Sequence, residues 1–143
     1  MKLSDVMTRQ VEDVRPGATL QEVAQKMRSM DVGAIPVCEN EKLIGMITDR
    51  DITVRAVAQG QDPRTACARD AMSAGLVYCY EDEDVEEAAR LMEQQQIRRL
   101  PVLDRNKRLA GIVSLGDLVT RQQNQRLGGE VLEQVSQPNI PHA

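Results

Sequence analysis

Apolar residues recur at helical spacing at Leu20, Val23, Ala24, Met27 and Met30, forming one stripe behind Thr19-Leu20-Gln21-Glu22. A Thr followed three residues later by Glu is a capping box, so a helix is predicted over about residues 19–31. A matching stripe of Val85, Ala88, Ala89 and Met92 follows Asp84-Val85-Glu86-Glu87 and predicts a second helix. After each stripe come two short apolar runs joined by a polar turn. The first pair is Ile35-Pro36-Val37-Cys38 and Leu43-Ile44-Gly45-Met46-Ile47, and residues 100–103 and 109–113 repeat it, which is the pattern of a β-hairpin. Pro36 and Pro101 cannot donate to a ladder and are expected at the beginning or edge of their strands. Each hairpin ends directly in a hydroxyl, Thr48 or Ser114. Helical segments follow, at residues 52–57 and 118–120, and Gly60, Asp62 and Pro63 break the first of them.

These elements are one unit written twice. Asp5-Val6-Met7-Thr8 falls on Asp70-Ala71-Met72-Ser73 at a separation of 65 residues, and Glu22, Ala24, Met27, Pro36, Val37 and Lys42 meet Glu87, Ala89, Met92, Pro101, Val102 and Lys107 at the same separation. One inserted residue near Arg108 shifts the separation to 66, at which Leu43, Gly45, Thr48 and Asp51 meet Leu109, Gly111, Ser114 and Asp117. The expected organisation is a β-α-β-β-α unit at residues 1–60, a linker at 61–66, a second unit at 67–122, and a C-terminal segment at 123–143. In that last segment Val131, Leu132 and Val135 are spaced for a short amphipathic helix, and the final residues are expected to fray.

Composition narrows the function classes. The chain has 143 residues, 41% of them hydrophobic and 28% charged, with a net charge of −4. That suits a folded domain and lacks the cationic excess that drives nucleic-acid binding. Nor does any apolar run approach the roughly 20 residues of a membrane span. The N-terminus MKLSDVMTRQ carries no apolar signal segment, so a cytoplasmic protein is expected. Cys38, Cys67 and Cys79 share no close spacing and the one histidine, His142, is penultimate, which argues against zinc sites, disulfide frameworks and a positioned catalytic base. Small buried thiols are the expected role of the cysteines, with a redox pair as the alternative. No Walker loop or metal cluster is visible, so no enzymatic activity and no metal site are expected.

The duplicated Gly-x-x-Thr/Ser-x-x-Asp has chemistry of its own. A carboxylate one turn past a strand-to-helix junction can accept hydrogen bonds from both ribose hydroxyls, while a neighbouring hydroxyl and free helix amides favour phosphate. Asp51 and Asp117 fit the first role, Thr48 and Ser114 the second. The same pairs are also ordinary helix caps, and both readings stand. Only the second unit places cations before its proline, Arg98 and Arg99, where the first has Gly33 and Ala34. In the first motif Asp49 and Arg50 replace Leu115 and Gly116. Phosphate is expected near the arginines, since a guanidinium matches phosphate oxygens in a fork, although a solvated pair balancing Glu93 and Asp104 is the alternative. Arg50 either reaches a phosphate or snorkels.

The order of DVMT or DAMS, a capped helix, AIPV or RLPV, then GMITDRD or GIVSLGD resembles tandem CBS (cystathionine-β-synthase) domains over residues 1 to about 122, and is similar to the stand-alone bacterial CBS-pair proteins of the hypoxic-response type. The resemblance implies an α+β fold in which two β-α-β-β-α units, each with a three-stranded sheet, pack sheet to sheet into one module with clefts between them. It implies ribose and phosphate contacts at the matching Asp and Thr/Ser positions, and phosphate contact by a basic residue shortly before the proline. For adenine, the family positions correspond to Met7, the Glu12 backbone and Val32 in one unit, and to Met72, Val77 and Ile97 in the other. The expected function is a regulatory sensor with no required cofactor, binding AMP, ADP, ATP or S-adenosylmethionine and acting on an effector protein that the sequence does not name. A homodimer is expected, contacting through helical residues Val54, Val57, Ala58, Leu118 and Val119. A ligand-independent interaction scaffold is the alternative.

Overall fold

The computed structural model describes residues 1–120. The expected helix at residues 131–135 and the frayed end lie outside the described residues. The chain divides into two compact units, Glu12–Leu76 and Met1–Val11 together with the chain from Val77 onward. We call them the first-motif and second-motif units. The chain thus hands its first eleven residues to the second motif, and residues 61–66, expected as a linker, are held within the first-motif unit by bonds from Gln21 N–H to the Pro63 carbonyl and from Leu20 N–H to that of Ala66.

In the first-motif unit, helix α1 spans Leu20–Met30, and Thr19 Oγ1 accepts the Glu22 N–H at 3.1 Å as its spacing predicts. Asp31 closes the helix in the left-handed conformation. Strands β1 (Ala34–Glu39) and β2 (Lys42–Thr48) form an antiparallel hairpin whose register sets Val37 opposite Gly45 and Ala34 opposite Thr48. The turn residues Asn40 and Glu41 both have positive φ, the twist that matches a hairpin. A short helix α2 (Asp49–Asp51) continues as a π-helical turn at Ile52–Ala56 and a 3-10 turn at Val57–Gln59, ended by Gly60 at φ 73°. Helix α3 covers Ala68–Ala71, and Ser73 then pairs with Met46 at the free edge of β2.

The expected third strand of this sheet shrinks to one parallel bridge, Val14 to Val37. Pro16 and Gly17 follow at once, and neither sustains a ladder. The second-motif unit completes its sheet because Cys79–Tyr80 (β3), favourable strand residues, pair in parallel with β4 (Arg99–Leu103) beside β5 (Leu109–Ser114). Pro36 and Pro101 are the third residues of β1 and β4. Pro36 is tolerated between two partners because its carbonyl, which needs no N–H, takes the Val14 bond at 3.0 Å. Helix α4 spans Val85–Gln95 and helix α5 Leu115–Thr120, and a 3-10 turn at Leu3–Asp5 precedes Thr8, which pairs with Ile112 on β5.

Each unit has its own apolar core. One gathers Leu20, Val23, Met27, Ile35, Val37 and Ile47, the other Leu3, Val6, Met92, Leu100, Val102 and Leu118. Two expectations change here. Leu118, expected at a dimer surface, is fully buried against its own unit, whereas Val54, Val57 and Val119 are exposed. Ala89 is buried on α4, but Ala24 at the matching place on α1 is exposed. Helix α5 packs on α4, and the π-helical turn of the other unit packs on α3.

Candidate functional site

Each motif sits where a strand ends and a helix starts, and the two junctions are built alike. Thr48 is extended, so its hydroxyl faces the amides of α2. Its Oγ1 accepts the Asp51 N–H at 3.0 Å, while its own N–H donates to Asp51 Oδ2 at 2.9 Å. Ser114 and Asp117 repeat the exchange at 3.1 and 2.9 Å. The reciprocal cap foreseen as one reading of these pairs is therefore formed in both units. It does not exhaust the Asp51 carboxylate, because a carboxylate offers about four acceptor positions and the cap uses one. Asp51 Oδ1 lies 3.9 Å from Arg55 Nε, and the Asp51 side chain retains 14% of its exposure.

Behind each junction a methionine lies over a glycine. A Cβ on Gly45 would stand 2.7 Å from the Ser73 carbonyl oxygen and 2.9 Å from Met72 Sδ, and one on Gly111 would stand 2.5 Å from the Thr8 oxygen and 2.9 Å from Met7 Sδ. Only glycine admits that approach. Relative to the grouping expected, the two methionines consequently exchange places, while Val32, Val77 and Ile97 keep theirs. Met7 belongs to the second-motif unit, whose core Val77 and Ile97 also touch, and Met72 and Val32 each pack against the first-motif core. The repeat alone conceals this, because Met7 and Met72 are interchangeable by sequence offset. The segment before each repeat pairs with the Gly strand of the other, through two backbone bonds of 2.8 and 3.0 Å in both cases, Thr8 to Ile112 and Ser73 to Met46.

Polar surroundings separate the junctions. The backbone N–H of the residue after Thr48 bonds the Gly33 carbonyl at 3.0 Å, and the residue after Ser114 bonds the Arg98 carbonyl at 2.8 Å, so positions 33 and 98 are structural counterparts. Arg98 and Arg99 are exposed beside Ser114, with Arg99 opposite it in the strand register. At the first junction the Asp49 carboxylate folds over Gly33, 3.2 Å from where a Cβ would be, and its Oδ1 accepts the Arg50 N–H at 2.8 Å. The Arg50 side chain is exposed. Arg55, which the sequence did not single out, donates to the carbonyls of Ala71 and Met72 at 3.4 and 3.1 Å and so ties the methionine segment to the motif. The π-helical turn directly after the motif places it there, a local widening often found at functional sites.

A cavity of about 1050 Å³ lies elsewhere in the first-motif unit, lined by Asp13, Arg15, Lys26, Cys38, Asn40 and Arg69 among others, at the turn end of the hairpin, and it contains none of the motif residues. Cys38 and Cys79 are buried in their respective units. Burial, reinforced by Asp13, pushes the Cys38 thiol up to about 12, and burial with the charges of Glu83 and Glu87 does the same for Cys79. Thiols held protonated in this way are poor nucleophiles, which argues against the redox alternative for these two. Among the described residues no three His, Cys, Asp or Glu side chains gather as metal ligands, and no helix is long and apolar enough to cross a membrane.

Two α+β units that repeat one glycine-backed Thr/Ser-Asp junction define a duplicated module, and comparison with known proteins gives its class. The CBS domain family model matches residues 3–57 and 68–124, and the chain belongs to that family. It is 46% identical over 138 residues to the CBS domain-containing protein YhcV of Bacillus subtilis, covering 96% of this chain and 97% of YhcV. It is 39% identical to hypoxic response protein 1 of Mycobacterium tuberculosis over 115 residues, 80% of each chain. The solved structure of hypoxic response protein I with two coordinated zinc ions superposes with a TM-score of 0.77 at 37% identity, covering 85% of this chain and 98% of that one. CBSX2 in complex with AMP (TM-score 0.73, 23% identity, 84% and 94% covered) and the CBS domain pair of MJ0100 in complex with 5′-methylthioadenosine and S-adenosylmethionine (0.73, 24%, 91% and 98%) share the fold.

Proposed function

We propose that the chain is a non-catalytic sensor of adenosine-containing ligands, AMP, ADP, ATP or S-adenosylmethionine, in which each unit offers its motif junction to one ligand. The observation that carries this reading is the repetition of the whole junction. Two capped carboxylates, each backed by a methionine over a glycine, exceed what a helix start requires. In this reading Asp51 and Asp117 accept the ribose hydroxyls, and Thr48 and Ser114 hold the 5′ side. The apolar positions Met72 with Val32, and Met7 with Val77 and Ile97, cover adenine. Arg98 and Arg99 meet phosphate, and Arg50 lines the other junction. The AMP and S-adenosylmethionine complexes of fold relatives support the ligand class. Two chains associate through the exposed Val54, Val57, Ala58 and Val119, and occupancy alters the geometry of that dimer, which an effector protein reads in the cytoplasm.

The scaffold reading is favoured by one observation, that both carboxylates already serve local caps. Thermal unfolding separates the two. A ligand that binds only the folded state stabilises it by RT ln(1 + [L]/Kd), about 2.7 kcal/mol at a hundredfold excess over Kd. A melting temperature that rises with AMP or S-adenosylmethionine upholds the sensor. A temperature unmoved by any adenosine compound at millimolar concentration upholds the scaffold.

A further inference from the structure

Among the positions at which the two junctions differ, one backbone-bonded pair changes the sign of its charge. Where the second-motif unit has Arg98 against Leu115, the first has Gly33 against Asp49, and the backbone bonds of 2.8 and 3.0 Å show that the pairs occupy the same place. Gly33 has an ordinary backbone conformation, so its missing side chain is not a backbone requirement. It leaves room for the Asp49 carboxylate, three atoms of which would lie 3.2–3.4 Å from a Cβ there. Along the motif that Thr48 opens the charged residues are Asp49, Asp51, Arg50 and Arg55, two of each sign, with the Arg55 guanidinium 3.9 Å from Asp51 and bonded to the Ala71 and Met72 carbonyls. At the second junction Arg99 lies opposite Ser114 in the strand register, the Arg98 carbonyl bonds the residue after Ser114, and Asp117 is the carboxylate of the cap.

We infer that Asp49 is a specificity residue: by placing a carboxylate where the second motif has an arginine, it makes the first motif reject a 5′-phosphate and select an adenosine compound whose 5′ substituent is neutral or cationic, such as a thioether or sulfonium. The inference rests on the ribose reading of the motifs. A ribose held by Asp51 leaves its 5′ carbon on the Thr48 side of the junction, within a turn of Asp49. A phosphate there meets a like charge, and a repulsive element of this kind is how a site discriminates between ligands that share every other contact. A sulfonium meets an opposite charge. The second motif takes the phosphorylated form, so one chain reads two classes of adenosine compound at once.

Isothermal titration of the full chain tests this with adenosine and AMP at low ionic strength, where surface charges act most strongly. Asp117→Ala silences the second junction. In that background AMP should bind roughly tenfold more weakly than adenosine, the size of one unit-charge repulsion across about 5 Å of partly solvated space. Adding Asp49→Asn, which removes the charge and keeps the acceptor for the Arg50 N–H, should erase the difference. Adding Gly33→Arg with Asp49→Leu, the residues of the other junction, should reverse it. Melting curves show which variants are folded, and the Asn variant alone suffices if the double replacement is not. If AMP binds the Asp117→Ala chain as tightly as adenosine does, if that chain binds no adenosine although the wild type does, or if Asp49→Asn leaves the ratio unchanged, the role of Asp49 is overturned and the ribose reading survives. If the wild type binds neither compound, the ribose reading itself falls, and this inference with it.

Discussion

Gly111→Ala places a methyl group 2.5 Å from the Thr8 carbonyl oxygen, 2.9 Å from Met7 Sδ and 3.1 Å from Met7 Cγ. The thioether can swing aside, but the carbonyl belongs to a backbone held by two bonds to Ile112, at 2.8 and 3.0 Å. Restoring ordinary contact requires Thr8 to retreat by about 1 Å, which takes both bonds beyond useful length. Two hydrogen bonds at about 1 kcal/mol each, plus about 1–3 kcal/mol for overpacking, give a loss of about 3–5 kcal/mol. For a chain of this size that lowers the melting temperature by roughly 10 °C. Chemical denaturation of the variant measures the loss directly. Gly75→Ala, with nothing within 4 Å of the new methyl group, is the control and should stay within about 0.5 kcal/mol of the wild type. Met7→Ala added to Gly111→Ala should not restore stability, because the nearer obstacle is main chain. A Gly111→Ala protein as stable as the Gly75→Ala control would refute the placement of the N-terminal segment on β5.

Replacing Arg98 and Arg99 together by Ala should weaken AMP binding several-fold more than adenosine binding and remove its salt dependence, both read by titration calorimetry. Cys67, half-buried, should react with a thiol reagent in the native protein, while Cys38 and Cys79 should react only on unfolding. Because their folded thiols are raised to about 12, the folded state holds these protons more tightly than the unfolded chain does. That contribution to stability is complete below the ordinary thiol value and is lost as the pH climbs from about 9 toward 12, and the Cys38→Ala, Cys79→Ala double variant should show a flatter alkaline limb in melting curves. Val57→Asp, at a side chain 61% exposed, should leave the fold intact and turn a dimer into a monomer by light scattering, whereas Leu118→Ala, fully buried, should cost about 2–5 kcal/mol.

Local chemistry was the legible part of the fold. The Thr19 cap, the α1 and α4 stripes, both hairpins and the Thr48 and Ser114 junctions follow from spacing and residue type within a few positions. What sequence left hidden depends on neighbours distant along the chain. The apolar pattern places Ala24 and Ala89 at matching positions of their helices, yet Ala89 is buried and Ala24 exposed, a difference that tertiary packing makes and local pattern does not announce. The left-handed ends at Asp31 and Gln96, and the positive-φ turn at Asn40-Glu41, carry no glycine to announce them. Which methionine covers which glycine was unreadable, since the repeat makes Met7 and Met72 equivalent and only long-range strand pairing tells them apart. Arg55 escaped notice because its partners are backbone carbonyls, Ala71 and Met72, which no motif encodes.

The central claim, that both Asp carboxylates receive ribose, is tested most directly by calorimetric titration of AMP and S-adenosylmethionine into the wild type, Asp51→Ala, Asp117→Ala and the double variant, each shown to be folded by its melting curve. Each lost acceptor removes hydrogen bonds to a charged group worth about 1.5–3 kcal/mol apiece, against about 1 kcal/mol for the lost cap. The account predicts that each single variant loses one binding event, at least tenfold in affinity, and that the double variant binds neither ligand. Undiminished binding of either ligand by the folded double variant would contradict it.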